Sequence, residues 1–186
     1  MNLIRLARLA GAFSLLAGGL SSCLQEPSYS TTPSIEFDSI RRVRSTQTGQ
    51  LPVDSIFVTI RFQDGDGDLG LNDTEIKSAP YLYPSRYSSN YFIEPYVKVA
   101  STGKFVKLSD TGRIAAGAYN ARFDHPSTTT DNKAAALKGT LTRAFGFGYG
   151  DVFQPGEEVR FDVNIADRAL HESNIVTTES LVIPVR

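Results

Sequence analysis

Two stretches of the chain alternate apolar and polar residues with a period of two. In the first, Ile56, Val58, Ile60 and Phe62 fall on one side, while Phe57, Thr59 and Arg61 fall on the other. In the second, Val159, Phe161, Val163 and Ile165 alternate with Arg160, Asp162, Asn164 and Ala166. Successive side chains of a strand point to opposite faces, so each run reads as a strand with one face on a core. Further strand candidates are Ser34–Arg44, Tyr91–Val99, Lys104–Leu108, Leu137–Phe145, Asn174–Thr178 and Leu181–Val185. Pro95 cannot donate to a ladder, which predicts an edge strand or a bulge for Tyr91–Val99. Helical signal is scarce: Asp131–Leu137, with Asp131 as cap, predicts a turn or two that Gly139 soon ends. Gly146-Phe147-Gly148-Tyr149-Gly150 reads as a loop between strands. Residues 69–90 and 112–131 form two long irregular connections, of the length usually reserved for function. Many strands, turn residues between them and almost no helix predict two packed antiparallel sheets. A closed barrel is the alternative; uneven strand lengths and the two long connections favour the sandwich.

The N-terminus follows a different pattern. Arg5 and Arg8 precede an apolar run from Leu9 to Leu20, and Leu20-Ser21-Ser22-Cys23 closes it. A basic start, an apolar stretch of about 12 residues and small residues before a cut describe a secretory signal rather than a membrane span. Leu-Ser-Ser-Cys resembles the lipobox of bacterial lipoproteins. The resemblance implies cleavage before Cys23, a diacylglycerol thioether on its sulfur and acylation (palmitate) of the new N-terminus. Residues 1–22 are then a lipoprotein signal peptide, 23–33 a lipidated flexible tether rich in Ser, Thr and Pro, and 34–186 the β-sandwich domain. Leu24 stands where an aspartate would imply retention in the inner membrane, so lipid-anchored placement at the outer membrane is expected.

Composition narrows the partners. The 186-residue chain has 19 basic and 20 acidic side chains. Loss of Arg5 and Arg8 with the signal leaves 17 against 20, a net charge of −3. So small a value favours neither nucleic acid nor an electrostatic hold on anionic lipid; the lipid chains supply membrane attachment instead. Cys23 is the only cysteine. The exported domain therefore holds together without a disulfide, by packing alone or by packing and a metal.

The acidic run Asp64-Gly65-Asp66-Gly67-Asp68-Leu69-Gly70-Leu71-Asn72-Asp73-Thr74-Glu75 follows directly on the first alternating strand. Calcium takes six to eight oxygen ligands, and alternating carboxylates on a glycine-rich loop can wrap it. Counting Asp64 as position 1, Asp64, Asp66, Asp68, Gly70 (through its carbonyl), Asn72 and Glu75 occupy the ligand offsets of an EF-hand loop. Leu69 stands where an EF-hand needs glycine, and a strand leads in where a helix should, so this is no EF-hand. A structural calcium loop between strands is one reading. A solvated acidic turn is the other: two carboxylates about 7 Å apart in water repel by roughly 0.6 kcal/mol, which demands no counter-ion.

These pieces together resemble a family of Bacteroidota lipoproteins. They are the Asp-Gly-Asp-Gly-Asp-Leu-Gly loop at 64–70, Asn90-Tyr91-Phe92, Ala136-Leu137-Lys138-Gly139, Pro155-Gly156-Glu157, and Asp167-Arg168-Ala169 with Ser173-Asn174 beyond. The resemblance implies an all-β, immunoglobulin-like antiparallel β-sandwich on a lipid tether, and no activity. The last hairpin resembles an Asp-x-Ala-Gly-Asn-x-Ser ending in which Leu170-His171 replaces Gly-Asn. That replacement predicts a longer hairpin loop.

Catalytic chemistry finds little support. The histidines, His125 and His171, lie far apart in loop-like segments, and no serine sits in a nucleophile elbow. Glu157 and Glu158 are adjacent in a strand and point to opposite faces, so they cannot flank one bond. Tyr81, Tyr83, Tyr87 and Tyr91 offer stiff amphipathic surface of the kind that binds proteins or sugars. Arg41, Arg42 and Arg44 read as a solvated strand face. The expected function is a non-catalytic binding or assembly module of the cell envelope, with an envelope protein or a glycan as partner. The alternative is a calcium-stabilised surface adhesin or glycan-binding protein.

Overall fold

The computed structural model describes residues 29–126 and 135–185. Cys23, the signal and most of the Asp131–Leu137 helix prediction lie outside them. Eight strands follow in order: β1 (Ser34–Ser45), β2 (Val53–Asp64), β3 (Tyr91–Lys98), β4 (Phe105–Lys107), β5 (Leu137–Gly148), β6 (Glu158–Ile165), β7 (Val176–Thr177) and β8 (Leu181–Val182). They form two antiparallel sheets, β1-β2-β5 and β4-β3-β6-β7, with β8 also on β6. The order is that of an immunoglobulin-like sandwich with β1, β2 and β5 as A, B and E, and β4, β3, β6 and β7 as C′, C, F and G. Among the described residues there is no α-helix, only three short 3-10 turns.

The two alternating runs are the hearts of the two sheets. Ile56, Val58 and Ile60 of β2 are fully buried against Val159, Phe161, Val163 and Ile165 of β6. Phe145, Phe147, Phe153 and Phe161 fill one region edge to face, with ring centroids 4.8 to 6.1 Å apart. Gly146–Gly148 belong to β5 rather than to a loop, because Phe145 and Phe147 keep their alternation into the core.

Pro95 sits in β3, which has neighbours on both sides. Its carbonyl accepts from the Leu108 amide, on the β4 side. The N–H and C=O of a strand residue point the same way. The missing donor therefore falls just beyond the short β4, and the ladder to β6 is intact. β1 carries an irregularity between Phe37 and Ser39. Before it Ile35 and Phe37 share the inward side; after it Ile40, Arg42 and Arg44 do, opposite Val58, Ile56 and Asp54.

The last hairpin is tighter than the sequence predicts. Leu170 N–H donates to the Asp167 carbonyl, Asp167 N–H donates to the His171 carbonyl, and Ala166 bridges Glu172. Leu170 takes the left-handed conformation itself, at φ 69°. A non-glycine residue there carries roughly 1–2 kcal/mol of strain. Leu170→Gly should therefore raise stability by about 1 kcal/mol in urea unfolding, after the extra chain entropy of glycine is subtracted; an unchanged or lowered midpoint would contradict that strain.

Candidate metal centre at one end of the sandwich

Asp64 is the last residue of β2, and it continues the inward register set by Ile56, Val58, Ile60 and Phe62. That register puts its carboxylate in the interior, at 0% exposure. Asp66 and Asp68, half-buried, fold back over it. One carboxylate oxygen from each of the three comes within 4.8 Å of the others. Both oxygens of Asp64, Oδ1 of Asp66 and Oδ1 of Asp68 are closed off from solvent and have no hydrogen-bond partner among the described residues. The solvated acidic turn is thus not what forms. Burial pushes the Asp64 carboxyl up to about 6, helped by the charges of Asp66, Asp68 and Asp167. The Asp68 amide opposes this, without a well-formed hydrogen bond to either oxygen. Burial, with Asp167 and Asp66, raises Asp68 too.

The far end of the same strand shows how an inward aspartate is otherwise handled. Asp54 is also at 0% exposure and on the same face. Its Oδ1 accepts from Arg42 Nη1 at 2.8 Å and Arg44 Nε at 2.9 Å, and its Oδ2 from Arg44 Nη2 at 2.6 Å. The bond to Arg44 holds its carboxyl below the usual range. Arg42 and Arg44 are therefore ion-pair partners of a core carboxylate, not a solvated face; Arg41 lies over the Phe57 ring. At the Asp64 end no such cation is supplied among the described residues. Arg168 is close enough to pull Asp68 down, but its guanidinium goes to the Leu69 carbonyl, to His125 and toward Glu75.

The glycines of the loop let other segments close on it. A Cβ on Gly65 would stand 2.3 Å from the Tyr29 carbonyl oxygen, one on Gly67 2.2 Å from that of Ala135, and one on Gly70 2.5 Å from the His125 nitrogen. Gly65 N–H donates to the Ser30 carbonyl at 2.8 Å, and Pro33 is buried. The described end of the tether is thus seated on the acidic loop. Leu69, in the slot where an EF-hand needs glycine, is fully buried and bridges Asp167.

Of the six residues at EF-hand offsets, the structure brings three together. Asn72 Oδ1 accepts from the amides of Thr74 and Glu75, and Glu75 Oε2 accepts from the Asn72 amide, so these two cap a 3-10 turn (75–77). Glu75 Oε2 also lies 2.8 Å from His125 Nε2. Gly70, at φ 93°, packs on Asp124 and His125. A fourth acid escaped the sequence reading. Asp167 continues the inward register of β6 one step past Ile165, and it is 3% exposed. His171 holds both its oxygens, through the backbone N–H at 2.8 Å and Nδ1 at 3.0 Å. Extending each alternating run by one inward step picks out Asp64 and Asp167 alike.

The tyrosines separate. Tyr91 is 1% exposed, Tyr87 packs edge-on against Phe92, and the Tyr81 hydroxyl donates to the Arg168 carbonyl. Tyr83 is 82% exposed. Glu157, one residue ahead of β6, pairs with Arg113, and Glu158, the first residue of β6, pairs with Lys98. Each histidine stands beside a carboxylate, but no serine or threonine hydroxyl bonds either ring among the described residues. Compared with family models, curated proteins and solved structures, the chain matches none.

Proposed function

We propose that the protein is a lipid-anchored, non-catalytic binding or assembly module of the cell envelope whose acidic end is organised by calcium. The observation that carries the calcium is Asp64: a fully buried carboxylate whose two oxygens have no partner among the described residues, flanked by Asp66 and Asp68 and within the field of Asp167. An ionised carboxylate in such a place must be paired or bound to a metal, or it gives up its charge. An all-oxygen set of this density suits a hard cation, and the backbone and water complete the six to eight ligands calcium takes. Asp64 ends β2, and Leu69 bridges Asp167 just past β6 of the other sheet, so a cation held by Asp64, Asp66 and Asp68 pins the loop between the two layers and fixes the root of the 69–90 connection.

The anchor rests on Leu20-Ser21-Ser22-Cys23 and on the resemblance to Bacteroidota lipoproteins. Among the described residues no helix is long and apolar enough to cross a membrane. A non-catalytic role is favoured because both imidazoles are held by carboxylates with no serine or threonine hydroxyl bonded to either among the described residues. The glycan-binding reading is weaker, since of its four tyrosines Tyr83 alone stays largely exposed. Cys23→Ser should abolish palmitate incorporation in growing cells and move the protein from the detergent phase to the aqueous phase. Unchanged labelling and partitioning would overturn the anchor.

A further inference from the structure

The acidic end is also the end from which the chain departs toward its lipid. Tyr29 and Ser30 are seated on Gly65, and six residue steps separate Tyr29 from Cys23. Even fully extended, six steps cover about 20 Å. The ten residue steps of β2 from Asp54 to Asp64 put the Asp54 end about 33 Å away from the Asp64 end. The 69–90 connection emerges beside the same loop: Arg168 N–H donates to the Asp68 carbonyl, and the Arg168 carbonyl accepts from Tyr81. From Ser78 to Ser85 this connection carries no charge. At its tip Leu82 is 53% and Tyr83 82% exposed. The segment after the tip is braced, because Arg86 and Tyr87 both bond Glu172. An uncharged, braced projection ending in Leu-Tyr-Pro, at the membrane-proximal end of a tethered body, has the chemistry of the bilayer interface, where tyrosine places its ring in an apolar layer and its hydroxyl in water.

We infer that the Leu82–Tyr83 tip docks into the interface of the bilayer that holds the Cys23 lipid, so that the sandwich stands with its acidic end down and its Asp54 end outward. The inference rests on the lipid-anchored reading. The far end has exposed apolar residues of its own, Val43, Leu51 and Val53, and these are placed away from the membrane.

The chain has no tryptophan, so Tyr83→Trp and Leu51→Trp each create a single tryptophan, excited selectively at the red edge of the absorption, at a solvent-exposed site. Both full-length lipidated variants would be reconstituted into phosphatidylethanolamine/phosphatidylglycerol vesicles with plain or brominated acyl chains. The expected result is co-flotation of both, at least a twofold loss of Tyr83→Trp emission with brominated lipid, and unchanged Leu51→Trp emission. If both float and Tyr83→Trp is not quenched, or Leu51→Trp is quenched as strongly, the docked orientation is wrong while the anchor stands. If neither floats, the anchor fails and the orientation with it.

Discussion

Calcium at 10 mM is expected to raise the melting temperature of the chelator-treated protein by about 8 °C, and Asp64→Asn to abolish the rise. The magnitude follows from an extracellular-type dissociation constant near 10⁻⁴ M. A hundredfold excess over it stabilises by about 2.7 kcal/mol, and in a domain of this size each kcal/mol moves the midpoint by about 3 °C. The sign of the mutation is the sharper test. Without metal, an Asp64 carboxyl raised to about 6 means that ionisation opposes folding by about 3 kcal/mol at neutral pH. Asn removes that charge but leaves a buried amide to satisfy, at about 1–2 kcal/mol. The variant should therefore melt above the wild type in chelator, by about 1 kcal/mol, and below it in calcium. pH gives the same sign. The folded state holds this proton more tightly than the unfolded chain, so metal-free stability rises as pH falls from above 6 toward 4. Indifference of the wild type to calcium, or an Asp64→Asn protein weaker than wild type in chelator, would remove the cation site.

The layers and their core were legible because period-two alternation is a direct record of which side of a strand is buried. The alternation was read too narrowly. Taken from Ile56 to Phe62 it describes a core; taken one step further each way it reaches Asp54 and Asp64, two carboxylates committed to the interior. Burial then changes their chemistry from that of a solvated turn. The EF-hand offsets misled at Asn72 and Glu75 because a 3-10 turn uses the same residues for capping. The arginines of β1 were misread because the irregularity after Phe37 reverses which residues face inward, and no local composition announces it. Pro95 looked like an edge signal because sequence shows the missing donor but not the side of the strand on which it is missing.

Arg44→Met is expected to be the most damaging single change at the opposite end, lowering stability by about 3 kcal/mol and the melting temperature by about 9 °C. Arg44 gives Asp54 two of its three bonds, one to each oxygen. Without it Oδ2 of a fully buried carboxylate loses its donor, while Arg42 still binds Oδ1. Removing one partner of a buried pair costs far more than removing both, because the surviving charge has nowhere to go. Adding Asp54→Leu to Arg44→Met should therefore recover part of the loss, and a double variant worse than the single one would refute the argument. The pH response is opposite to that of Asp64. Asp54 is held below its ordinary value by Arg44, so its contribution is complete above about pH 4 and disappears as pH falls through the depressed value. The metal-free protein should thus gain stability as pH falls from 7 toward 5 and lose it below 4. Asp64→Asn removes the first limb, and Arg44→Met flattens the second. A profile in which either variant alters the other's limb would mean that the two ends of β2 do not act as separate carboxylate sites.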